Sequence, residues 1–139
     1  MWELNAPLDV DYITKEGFYL YGACAVDEPE KNVSFSLLYK PVSGLSGPIA
    51  RIDWLPFHDH GNKGRITGPW SWATVKGTHI HSYDLNSRYG WDRMVKENLP
   101  IALPVDAELR DFNGLLEYVG QTWNISGIRA IPTPEWYMI

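Results

Sequence analysis

Several stretches of this chain alternate apolar and polar residues with a period of two, and that pattern commits it to a fold built on a sheet. In Val33-Ser34-Phe35-Ser36-Leu37-Leu38-Tyr39-Lys40, residues Val33, Phe35, Leu37 and Tyr39 share one face, because successive side chains of a strand point to opposite sides. Phe18 to Val26 is rich in strand formers and Asp27 to Asn32 reads as a turn, so the two segments are expected to pair as a hairpin. Ile49 to Trp54 is a third strand, with Ala50, Ile52 and Trp54 facing one way and Arg51 and Asp53 the other.

Gly77-Thr78-His79-Ile80-His81-Ser82-Tyr83 has the same period with different chemistry. His79, His81 and Tyr83 share one face, and Thr78, Ile80 and Ser82 share the other. The remaining two histidines also form an H-x-H pair, His58-Asp59-His60, followed by Gly61-Asn62-Lys63-Gly64. A separation of about twenty residues suits two neighbouring strands joined by a long loop.

Elsewhere the signals are weaker. Residues 1–16 read as an extended arm and turn, Trp70 to Val75 as a short strand, and Asp84 to Gly90 as a turn. Trp91 to Asn98 is ambiguous between a helical turn and an edge strand. Leu109, Phe112, Leu116 and Val119 recur at helical spacing, with Asp106 as N-cap, Glu108 in the first turn and Gly120 as the stop. The tail from Trp136 to Ile139 is apolar enough to pack. The expected fold is α+β: an antiparallel sheet of about four to six strands, with one amphipathic helix over 106–119 packed on one face.

At 139 residues, 45% of them apolar, residues 1–139 form a single domain with a substantial core. Seven Trp and eight Tyr exceed the usual share, and core and sheet-face packing accounts for them more simply than a ligand platform. Cys24 is the only cysteine, in an apolar setting, so it forms no intrachain disulfide and suits neither an oxidising compartment nor a nucleophile's role. No window approaches about eighteen apolar residues and the N-terminus lacks a basic flank, so the reading is cytoplasmic with no membrane partner.

The net charge of −5 is concentrated at one end. Residues 1–31 hold seven acids against Lys15 and Lys31, whereas residues 51–96 hold seven basic residues against four acids. That modest basic excess surrounds all four histidines and would suit RNA or another phosphate-containing ligand.

Two chemistries fit the histidine pairs. In the first, His58, His60, His79 and His81 bind zinc, with Asp53 or Asp59 completing the site, since imidazole is a common zinc ligand and H-x-H puts both rings on one side of a strand. The second needs no cofactor. His79 and His81 are an acid–base pair on a phosphodiester, His60 is a third participant, and Tyr83 assists. Arg51, Asn62, Lys63 and Arg65 then hold the substrate. A serine hydrolase is unsupported, because the chain has no G-x-S-x-G elbow.

Arg51-Ile52-Asp53, then His60-Gly61-Asn62 with glycine behind it, then Gly77 to Tyr83, then an amphipathic helix ending near Trp123-Asn124-Ile125, resemble a family of short uncharacterised bacterial and prophage proteins. In that family an arginine–aspartate strand precedes an H-x-N-x-x-G loop and a G-x-H-x-H-x-Y strand. The resemblance covers residues 33–125, and Trp70 to Val75 is an insertion relative to it. It implies a mobile-element setting, compatible with a toxin-like ribonuclease, whose protein partner would be an antitoxin, or with a non-catalytic inhibitor of a host defence complex. The acidic first third favours the inhibitor, since such a protein gains from mimicking phosphate charge.

Overall fold

The structure, a computed structural model, describes residues 1–10, 13–66 and 68–136. Its frame is a six-stranded antiparallel sheet built from β1 (Trp2–Val10), β2 (Ile13–Cys24), β3 (Val33–Tyr39), β4 (Gly47–Trp54), a short β7 (His79–His81) and β8 (Leu103–Pro104), paired in that order. Two further short strands, β5 (His60–Gly61) and β6 (Thr74–Val75), pair only with each other. The α+β expectation holds, and the sheet reaches the upper end of the expected strand number.

The period-two reading decides which face is which. Phe35 pairs with Ile52, Val33 with Trp54, and Ile52 with Ile80. These residues point to the side covered by α3 (Phe112–Thr122), where Phe112, Leu115, Leu116 and Val119 join Leu20, Cys24, Val33, Phe35, Ile52 and Trp54 in one core. Phe112 also meets Trp2 and Trp136 edge to face, at ring separations of 6.0 and 5.4 Å. The tail thus packs as far as Trp136, while Tyr137, Met138 and Ile139 lie outside the described residues.

The helix starts later than its periodicity suggests. Asp111, not Asp106, is the N-cap, its carboxylate accepting from the Gly114 amide at 2.7 Å. Leu109 stays outside the helix, and its carbonyl accepts from Trp54 Nε1 at 3.1 Å, a bond to the indole that a helical Leu109 would have to give up. Gly120 is not the stop. It lies inside the helix, fully packed, where a Cβ would come within 2.8 Å of Ile128.

Other local readings also change. The presumed arm is β1 and the start of β2, and only Thr74–Val75 of the Trp70 to Val75 stretch is strand. The presumed turn after Tyr83 is a short helix, α1 (Tyr83–Ser87), because the Ser82 side chain caps the Leu85 amide. The ambiguous piece is α2 (Trp91–Lys96). Among the described residues, no helix is long and apolar enough to cross a membrane.

Candidate functional site

The sheet face opposite α3 carries the chemistry. Antiparallel pairing sets Arg51 directly across from His81, and Asp53 directly across from His79, so two alternations one strand apart bring four polar side chains together. His60 arrives from β5, outside the main sheet, and its ring centroid lies 4.6 Å from that of His81 and 5.7 Å from that of His79. Three of the four histidines therefore converge, and the H-x-H pairs do not sit on neighbouring strands of one sheet.

Main-chain carbonyls aim the rings. His79 Nδ1 is 2.8 Å from the Gly77 carbonyl oxygen and His81 Nδ1 is 2.8 Å from that of Leu99. A carbonyl only accepts, so both Nδ1 atoms carry hydrogen and both Nε2 atoms are turned the other way. They face the same atom: Asp53 Oδ2 is 3.2 Å from His79 Nε2 and 3.3 Å from His81 Nε2. The three atoms lie within 4.8 Å of one another.

Arg51 closes the arrangement. Its Nε donates to Asp53 Oδ2 at 2.9 Å, Nη1 to Asn98 Oδ1 at 3.0 Å, and Nη2 to His81 Nε2 at 3.1 Å. The histidines of β7 are buried, whereas the side chains of Arg51 and Asp53 keep 17% and 19% of their surface in solvent. The cluster thus meets solvent at Arg51 and Asp53.

Burial opposes ionisation of Asp53, but the bond from His79 and the neighbouring Arg51 charge outweigh it and hold the carboxyl well below the usual range. Burial also opposes the charged form of His79, yet Asp53 and the Gly77 carbonyl prevail and raise its pKa. Desolvation, together with the Arg51 charge, lowers His81 to about 4. Desolvation lowers His60 as well, helped by the charges of His79 and Arg51.

A second set of contacts anchors the cluster. Leu99, Pro100, Ile101 and Ala102 are all buried, and the whole run lies before β8 begins. Their four carbonyls accept in turn from His81 Nδ1 (2.8 Å), His60 Nε2 (2.9 Å), Asn86 Nδ2 (2.9 Å) and Asn62 Nδ2 (2.9 Å). The Ile101 and Ala102 amides donate back to Asn86 Oδ1 and Asn62 Oδ1 at 2.9 and 2.8 Å. Side chains here replace a missing neighbour strand, as buried backbone requires.

The expected site residues separate accordingly. Arg51, His60, His79 and His81 come together, joined by Asp53. Asn62 is nearby but buried, and its amide donates to the Trp70 and Ala102 carbonyls, which leaves no donor for a substrate. His58 is exposed and outside the group of converging ligand atoms. Lys63 and Arg65 are exposed, and among the described residues their side chains make no hydrogen bond or ion pair to the cluster. Tyr83 is exposed at the start of α1 and lines a separate cavity of about 360 Å³ with Phe18, Tyr39, Ile49 and Trp91. The sequence reading missed Asn98, Asn86 and the carbonyls of residues 99–102, which have no local signature.

No protein-family model matches the chain, and comparison with curated proteins and with solved structures found no match either.

Proposed function

We propose that the protein binds a divalent transition-metal ion of the zinc class through Asp53 Oδ2, His79 Nε2 and His81 Nε2. The observation that carries this reading is the convergence of those three atoms, with Nε2–Oδ2 separations of 3.2 and 3.3 Å. Two ligands each about 2.0–2.1 Å from a tetrahedral ion would be about 3.3–3.4 Å apart. The carbonyls of Gly77 and Leu99 supply the support that metal-binding imidazoles commonly have, a hydrogen bond to the other ring nitrogen that fixes tautomer and orientation. Three protein ligands leave a fourth position open, the pattern of catalytic rather than structural zinc.

His60 deepens this reading. Its Nε2 is used by the Pro100 carbonyl, and its Nδ1 has no hydrogen-bond partner among the described residues. A neutral ring nitrogen beside such an ion is suited to accept a proton from a bound water.

A second reading, phosphodiester cleavage without metal, draws support from Arg51. Three of its five N–H groups are used by Asp53, Asn98 and His81, so two remain for an oxyanion. In that scheme His60 is the base, because both nitrogens of His79 and of His81 are already engaged.

Metal analysis of protein purified without chelator separates the two. About one zinc-class ion per chain, lost in Asp53→Asn, supports the metal centre. A metal-free preparation that takes up no zinc, yet cleaves RNA until His60 is replaced, supports the second reading.

A further inference from the structure

We infer that Arg51 is a built-in competitor for the ion, so that the guanidinium and the metal occupy the site in alternation. The inference rests on the metal-binding reading and adds its regulation.

An imidazole nitrogen has a single lone pair in the ring plane. In His81 that lone pair is the acceptor for Arg51 Nη2 at 3.1 Å, so it cannot serve a metal while the bond persists. Asp53 Oδ2 is engaged in the same way, by Arg51 Nε at 2.9 Å. The guanidinium thus covers two of the three converging acceptors with one positive charge, which is what an ion would have to do. It also offsets the Asp53 charge through the ion pair at 2.9 Å.

Departure is open to Arg51. It lies at the solvent boundary of the cluster, and its third anchor, Asn98, is exposed. Asn98 and Leu99 both have left-handed backbone, φ 52° and 58°, a conformation that costs side-chain-bearing residues energy. Leu99 is held in it by its amide bond to the Met94 carbonyl, 2.9 Å, and by the His81 bond to its own carbonyl. The loop therefore presents the Asn98 amide to Arg51 at some conformational cost, and the anchor biases the guanidinium towards its place over the ligands.

The sign of the prediction is unusual for a residue that touches the ligands. Replacing a neighbour that orients a ligand ordinarily weakens metal binding. Here Arg51→Met should tighten zinc binding, by roughly tenfold to a hundredfold, because two charge-assisted hydrogen bonds no longer have to be broken. Asn98→Ala keeps the charge and loosens only the anchor, so it should tighten zinc binding by a few fold.

The test is a competition titration with zinc alone on the wild type, Arg51→Met, Asn98→Ala and Asp53→Asn, each checked for cooperative unfolding. Tighter binding by Arg51→Met or Asn98→Ala supports the inference, as does zinc uptake by Arg51→Met when the wild type takes up none. A wild type that binds zinc, with folded Arg51→Met and Asn98→Ala variants that both bind it equally or more weakly, overturns the inference and leaves the metal centre standing. Failure of every folded variant to bind zinc overturns both.

Discussion

His81 Nδ1 donates to the Leu99 carbonyl at 2.8 Å, so one ring ties the central sheet to a buried loop while aiming its other nitrogen at Asp53. Replacing His81 with Ala leaves that buried carbonyl without a donor and removes an acceptor from Arg51. The expected loss is about 2–4 kcal/mol in urea unfolding of the metal-free protein. A loss below about 0.5 kcal/mol would mean that water replaces the ring freely.

Asn86 and Asn62 act as paired clamps on Ile101 and Ala102. Each Asn→Ala change strands one buried amide and one buried carbonyl, and should cost roughly 2–4 kcal/mol by denaturant titration. The two sites grip adjacent residues of one segment, so the double variant should lose less than the sum. Strict additivity would show that they hold the segment independently.

Acid should weaken the metal-free protein through His81. Its folded pKa of about 4 lies below the ordinary histidine value of 6.5, so the unfolded chain binds the proton more readily between those values. Stability is then fully present above about pH 6.5 and falls as pH drops towards 4, by about 3 kcal/mol at about 1.4 kcal/mol per pH unit. His60, also lowered, acts in the same direction. His79 is raised, so its contribution is present below its unfolded pKa and is lost as pH rises through the folded one. That window lies on the other side of 6.5. Unfolding curves across pH 4–7 should flatten in His81→Asn, and an unchanged slope would remove His81 as their cause.

The start of α3 gives a plain structural check. Asp111→Ala should cost about 1 kcal/mol, the usual value of an N-cap, and Asp106→Ala should stay within about 0.5 kcal/mol. Thermal unfolding of the two variants ranks them, and the opposite ranking would restore the earlier start.

Much of this architecture could be read from period-two patterning. The division of β4 into Ile52 and Trp54 on one face and Arg51 and Asp53 on the other is local, and so is that of His79 and His81 around Ile80. What joins Asp53 to His79 is strand register, and a sequence does not print register. His58 and His60 look equivalent as text, yet only His60 is drawn in, because it belongs to β5 and bonds the Pro100 carbonyl. The clamps of Asn62 and Asn86 reach 40 and 15 residues along the chain, beyond any motif. The Ser82 cap of α1 went unread, because turn-forming Asn86, Ser87 and Gly90 follow it. Asp106 and Asp111 are equally good caps on paper, and the Trp54 indole, more than fifty residues away, distinguishes them.

The account turns on which ring nitrogens meet the ion, and nitrogen-15 NMR of the imidazoles during zinc addition reads that directly. It predicts that the Nε2 resonances of His79 and His81 shift while their Nδ1 atoms stay protonated and His58 is unmoved. Zinc-induced shifts at His58, or none at His79 and His81, would contradict it.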